Sequence, residues 1–268
     1  MKPELAMRLF SRQTLTSPQA ERQINALGSF RNGLFCPDKC SAFEPISNGF
    51  TPPNITEPVR WLSRPSGTFM YRQKSPAKVT GVMWNLSRPD LCDTDKSGRR
   101  TKLAPRHPQR LFSNYWTADF DGLWVKKVGL DTTLSFVSEM FAVSGSDFGL
   151  FTALEDLNRK NYLVRQVGNG QAMSYEGLDP AHGVPGLYWI TLFSRSFASW
   201  LGIRKSITSS GLISEIPAGF MLRFSETPDS CQSEETLNVQ KCLISELGER
   251  RFFDIHRPLR TLESPDWL

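Results

Sequence analysis

Residues 183–202 read GVPGLYWITLFSRSFASWLG, gathering Tyr188, Trp189, Phe193, Phe197 and Trp200 with Arg195 as the one ionisable side chain. Pro185-Gly186 breaks whatever precedes. The apolar run after it reads as a buried strand, and Phe197, Trp200 and Leu201 then recur at helical spacing before Gly202. A strand handing over to a short helix, both apolar, is a core element, and Trp189 and Trp200 are expected inside it.

Downstream, Gly211–Ile216 and Gly219–Phe224 form a hairpin around Pro217-Ala218-Gly219. A helix over 233–247 buries Leu237, Leu243, Ile244 and Leu247, and Phe252–Ile255 returns as a strand. Upstream, Ser113–Phe120 reads as a strand. Asp131 caps a helix to about Ala142, with Leu134, Val137 and Phe141 on one face. Residues 155–160 give a helical turn in which Glu155 and Asp156 face solvent, and 161–167 a strand. Thr68–Arg72 and Lys78–Asn85 make a further hairpin. Strands and helices mix without βαβ alternation, which predicts an α+β fold with a mixed, mainly antiparallel sheet and packed helices.

The first 67 residues read differently. Ser17–Gly28 has the cap, the early proline and the terminal glycine of a short amphipathic helix. Residues 29–67 alternate Pro, Gly, Ser and Asn and read as an irregular arm crossing the surface, so that the division is 1–67 arm and 68–268 compact domain. The amino terminus, with Glu4 and Arg8 interrupting its apolar residues, does not read as a secretory signal, and no apolar run approaches the roughly 20 residues that span a bilayer. Five cysteines, an odd number at irregular spacing, argue for a reducing compartment. A cytoplasmic protein is the expectation.

Chemistry is sparse. There is no GxSxG, Walker, HExxH or GxGxxG motif. Asp147-Phe148-Gly149 lacks the companion motifs of a kinase, and Cys36-Pro-Asp-Lys-Cys40 lacks a second ligand pair for zinc. No cofactor and no metal are expected. His182, beside Asp179, is the best general acid or base by residue type. With no identifiable nucleophile or metal near it in sequence, it reads first as a loop residue making a structural hydrogen bond. Charge is unevenly divided. Residues 1–110 carry 18 Lys and Arg against 8 Asp and Glu, while 111–268 carry 14 against 19. Much of the basic excess lies in 88–110, a proline-containing loop without the interleaved aromatics that stack on bases.

Four blocks, FSNYWTADFDGLW (112–124), VSEMFAVSGSDFGLF (137–151), GLDPAHGVPGLYWITLF (177–193) and FFDIHRPLRTLESPDW (252–267), together resemble the immunity proteins of polymorphic toxins, in particular the type called immunity protein fifty-two. The resemblance runs over roughly 60–267. It implies a non-enzymatic antidote of interbacterial competition, as in type VI secretion, that binds and occludes a cognate secreted toxin, commonly a restriction-endonuclease-like nuclease. For such a partner the acidic half of the chain is the expected contact, through Asp119, Asp121, Asp147, Glu176, Asp179, Asp229, Glu234 and Glu235 as a charged rim. The alternative reading is a nucleic-acid-binding protein or hydrolase that uses the 88–110 loop and His182.

Overall fold

The 183–202 segment behaves as its pattern requires in the computed structural model, which describes residues 4–13, 15–52, 54–75, 78–86, 92–94, 100–102, 114–168, 170–178, 180, 183–203, 212–258, 260–263 and 265. Ile190–Ser194 is a strand (β12) and Arg195–Leu201 a helix (α6). Ser194 Oγ accepts the Phe197 N–H at the helix start. Gly202, in the left-handed region at φ 74°, ends it, a conformation that costs a residue with a Cβ. Tyr188, Trp189, Phe193 and Phe197 are fully buried. Trp200 is half-buried and packs at the margin of the core.

The remaining elements, in chain order, are β1 (Glu4–Ser11), α1 (Ser17–Gly33, its helical geometry broken at Phe30–Asn32), β2 (Lys39–Ser41), β3 (Asn48–Gly49) and α2 (Thr56–Leu62). Then come β4 (Thr68–Gln73), β5 (Val79–Asn85), β6 (Cys92–Thr94), β7 (Arg100–Lys102), β8 (Asn114–Asp121), α3 (Gly122–Val128) and α4 (Leu130–Val143). β9 (Phe148–Ala153), α5 (Leu154–Asn161), β10 (Tyr162–Val167) and β11 (Gly170–Tyr175) precede β12. β13 (Ile213–Ile216), β14 (Gly219–Arg223) and α7 (Glu234–Leu247) follow α6.

Among the described residues ten strands make one sheet in the order β13-β14-β12-β9-β1-β8-β5-β4-β2-β3. Every pairing in it is antiparallel. With its helices this is an α+β fold, as predicted. Alternation sorts the side chains onto two faces. One face carries Leu5, Met7, Leu9, Trp116, Phe120 and Phe151, packed in one cluster with Ile24 and Leu27 of α1, Leu62 of α2 and Val137 and Phe141 of α4. The other carries Ala6, Phe10, Phe148, Leu150, Phe193 and Leu222. Over it lie residues 184–188, Phe197 and Leu201 of α6, and Leu243 and Leu247 of α7.

Three expectations need correction. The first 67 residues are not an arm beside a domain: β1 lies between β8 and β9 in the middle of the sheet, and β2, β3 and α2 extend and cover it. Glu4 alone of the β1 side chains is exposed. A strand buried on both faces loses the polar and apolar alternation by which strands are recognised. Phe252–Ile255 is not a strand; Phe252 makes a single parallel bridge to Val184. Asp131 sits in the first turn of α4, whose cap position is Gly129. The strand read over 161–167 is present as β10, which among the described residues pairs with β11 in a hairpin separate from the main sheet. No helix among the described residues is long and apolar enough to cross a membrane.

One glycine shows how tightly the covered face is built. A Cβ at Gly81 would lie 2.3 Å from the Tyr71 ring and 2.7 Å from the Thr117 carbonyl oxygen. The buried Tyr71 phenol crosses the β5 backbone there and accepts a 2.8 Å hydrogen bond from Trp116 Nε1.

Candidate functional site

The second face of the sheet changes character at β1. Toward β9 it is sealed by α6, α7 and residues 184–188. Toward β4 it opens, and the register lays its side chains out in three rows. The first row runs Phe10, Tyr115, Trp84, Thr68; the second Arg8, Thr117, Val82, Met70; the third Ala6, Asp119, Thr80, Arg72, Lys39. Tyr115, Thr117, Val82, Trp84, Met70, Arg72 and Lys39 are half-buried, and Thr80 and Asp119 are exposed.

The first row is a continuation of the core. Phe148 packs on Phe193 and Phe197 and lies 5.9 Å from Phe10. Phe10 stacks on Tyr115 at 4.7 Å, and Tyr115 on Trp84 at 5.1 Å with the planes 12° apart. Tyr115 is therefore held between two rings, and the aromatic column carries rigidity from the buried half of the face into the open half.

Two further features border the open half. Arg8, only 8% exposed, donates to Asp119 Oδ1 at 2.7 Å. Burial works against its cation, but the charges of Tyr115 and Asp119 outweigh this and raise its pKa. The β10–β11 hairpin exposes Val164, Met173 and Tyr175. Tyr175 donates to Asn158 Oδ1 at 2.6 Å, which ties the hairpin to α5, and α5 packs Leu157 in one cluster with Ala6 of β1; burial raises the Tyr175 phenol pKa, with Arg8 lowering and Asp119 raising it. On another border Phe43, 72% exposed, is held out by a loop in which Thr68 Oγ1 donates to the Ala42 carbonyl and Ser41 Oγ to the Phe43 carbonyl.

Of the eight acids predicted as a rim, seven are among the described residues, and they stand in different settings. Asp119 lies on the open face, paired with Arg8. Glu176, half-buried, follows the hairpin and accepts from Ser174 Oγ. Asp121 caps α3 by accepting the Leu123 N–H and pairs with Lys78 at 3.4 Å. Asp229 pairs with Lys126 at 3.2 Å, and Glu234 and Glu235 are exposed in the first turn of α7. Asp147 is buried. Arg12 grips it through Nη2 at 2.7 Å and Nε at 2.9 Å, so it is a structural ion pair rather than a surface contact. Asp179 and His182 lie outside the described residues, as does the 88–110 segment apart from the short β6–β7 pair. No group of three or more metal-ligating side chains occurs among the described residues.

Asp156 is the larger correction. Read as solvent-facing, it is fully buried. It accepts from Thr152 Oγ1 at 3.0 Å, Arg159 Nη2 at 2.8 Å and Lys160 Nζ at 3.0 Å. Lys160 also donates to the Leu187 carbonyl and to Gln240 Oε1, and lies 4.9 Å from the Tyr188 ring centre. Burial, then the Asp156 charge, push the nearby Cys231 thiol up to about 11. Adjacency to Glu155 hid this, because neighbouring residues on a helix point apart and one of them can face inward.

The tyrosines give a pH prediction. Burial raises Tyr115 from its usual 10.0 to about 12, with Arg8 opposing and Asp119 adding, and burial raises Tyr71 and Tyr188 as well. A phenol that holds its proton more tightly when folded contributes stability that is complete below pH 10 and is lost as pH climbs through the folded value. Stability is therefore expected to fall from about pH 10 upward, with phenolate absorbance at 295 nm rising together with loss of the far-ultraviolet signal. Reversible titration of all five tyrosines near pH 10 in a folded protein would contradict this.

No model of a known protein family matches the chain, and no curated protein matches it. Among solved structures it is similar to a Pseudomonas aeruginosa T6SS protein at 10% sequence identity, over 85% of this chain and 69% of that one, with a TM-score of 0.48.

Proposed function

We propose that this protein is an antidote: it binds a secreted antibacterial toxin and neutralises it by occupying a surface, without turnover of its own. The resemblance of the aromatic blocks to toxin immunity proteins motivates the reading. The observation that carries it is the open half of the sheet, where Tyr115 and Trp84 extend the core aromatic column to solvent between two projecting apolar features, the Phe43 loop and the β10–β11 hairpin. Half-buried Trp, Tyr and Arg side chains on a preformed scaffold are the groups that dominate binding energy at protein interfaces. An antiparallel sheet locked from behind by α1, α2 and α4 holds them with little ordering cost on association.

The test is reconstitution with the product of the adjacent toxin gene. A stable complex is expected, with Trp84→Ala weakening it by about 10- to 100-fold, the range of an interface anchor. The variant should keep the wild-type circular dichroism spectrum. Absence of a complex, or a Trp84→Ala protein that binds as tightly as wild type, would reject the assignment.

A further inference from the structure

The charge of the open face specifies the chemistry of its partner, an inference that rests on the docking reading above. Sequence alone suggested that the acidic half of the chain meets a basic nuclease surface. The topology places the opening elsewhere: β4, β5 and β2 all come from residues 1–110, the half in which Lys and Arg outnumber Asp and Glu by 18 to 8. In the third row Asp119 already has its cation, Arg8. Arg72 and Lys39 do not. They are register partners on adjacent strands, so two positive side chains sit side by side, an arrangement that repels. Neither makes an ion pair among the described residues, and Arg72 Nε is shielded from solvent without a hydrogen-bond partner. That N–H is closed to an incoming group, but a carboxylate received by the rest of the half-buried guanidinium and by the neighbouring ammonium would neutralise the adjacent positive pair.

We infer that the partner docks an acidic protein segment on this face, its carboxylate on Arg72 and Lys39 and an apolar side chain beside it on Met70 and Val82. The second row supplies that apolar floor. Met70 and Val82 are cross-strand partners, and Met70 is two residues from Arg72 along β4, about 7 Å at strand rise. A nucleic acid, the other polyanion a basic face could take, fits less well. Both faces of the Tyr115 ring are covered, by Phe10 and by Trp84, so no base can stack on it. Asp119 in the same row would repel phosphate.

The experiment measures binding of the adjacent toxin gene product at 50 and 300 mM salt by biolayer interferometry, with melting curves on every variant. Arg72→Glu and Lys39→Glu are each expected to weaken the complex at least tenfold at low salt, through faster dissociation as well as slower association, and to flatten its salt dependence. Lys127→Glu, on the exposed surface of α3, should bind within twofold of wild type. If Arg72→Glu does not fold, Lys39→Glu and Arg72→Met carry the test, the latter expected to lose the same interaction without reversing charge. A complex that forms with wild type but is indifferent to both reversals overturns the inference and leaves the antidote reading standing. So does one weakened by Glu234→Lys with Glu235→Lys, which would mean a basic partner on the acidic half. Salt-sensitive binding of a 20-nucleotide DNA, abolished by Arg72→Glu, would replace the acidic segment with nucleic acid. No complex at all rejects both readings together.

Discussion

Asp156→Ala is expected to lower the stability of the protein by about 3–5 kcal/mol, the cost of leaving a buried cation without its counter-ion. Lys160 would keep its hydrogen bonds to the Leu187 carbonyl and Gln240 Oε1, but neither carries charge. Lys160→Met should cost less, because Asp156 retains Arg159 and Thr152. The double variant should be less damaged than the sum of the two, with a coupling energy above about 1 kcal/mol, since removing both members of a buried pair removes the uncompensated charge. Urea unfolding at pH 7 measures all four corners of the cycle. A pH series adds a second readout. Burial lowers the Lys160 pKa from its usual 10.5, with Asp156 opposing. Without Asp156 the lowering deepens, the unfolded chain binds more protons than the folded one over the interval below 10.5, and stability rises with pH there. The Asp156→Ala deficit should therefore shrink between pH 7 and 9.5. An Asp156→Ala variant within 1 kcal/mol of wild type would show the pair to be incidental. The consequence reaches the proposed binding face, because α5 ends at Asn161, whose amide donates to the Glu176 and Pro185 carbonyls and so fixes the root of the β10–β11 hairpin.

What the sequence disclosed and what it withheld follow from the same physics. The strand and helix of 183–202, the 68–85 hairpin, the strand before Asp121 and the helix over 234–247 were legible because each has one covered and one freer side, or an apolar run bounded by glycine and proline. β1 was not, because its two faces serve two different cores, Met7 and Leu9 on one and Ala6 and Phe10 on the other, so no period survives in its sequence. β2 and β3 are three and two residues long, below the length at which any pattern appears. The open face was invisible for a different reason. Trp84, Tyr115, Met70 and Arg72 come from three strands and meet only through register. Acidic residues drew attention because they stand out individually, yet Asp147 and Asp121 are engaged in holding the fold. One available signal was the charge division at residue 110, since β2, β4 and β5 of the open half all come from its basic side.

Phe136→Ala is the second large effect, about 3–5 kcal/mol, the range for truncating a fully buried phenylalanine. Phe136 of α4 stacks on Phe35 at 3.9 Å and meets Phe30 edge-on at 5.2 Å and Phe120 edge-on at 6.1 Å. Phe30 opens the break at the end of α1 and Phe35 follows it, in the stretch whose Pro, Gly and Asn content suggested a loose arm. The ring cluster is what makes that stretch structural, so the effect of Phe136→Ala should not stay in α4. Amide exchange of residues 30–41 is expected to accelerate with that of α4, and proteolysis at Arg31 should become detectable, while β12 and α6 across the sheet keep their protection. Phe136→Leu, which preserves most of the volume, should cost under about 2 kcal/mol and leave exchange in 30–41 close to wild type. If Phe136→Ala instead loosened α4 alone, the segment would owe its order to something other than the ring cluster. Because β2 begins with Lys39, four residues after Phe35, a loosened segment should also weaken the proposed toxin complex more than the loss of global stability accounts for. That excess, measured at a temperature where the variant is fully folded, would tie an interior ring to the docking surface through four residues of chain.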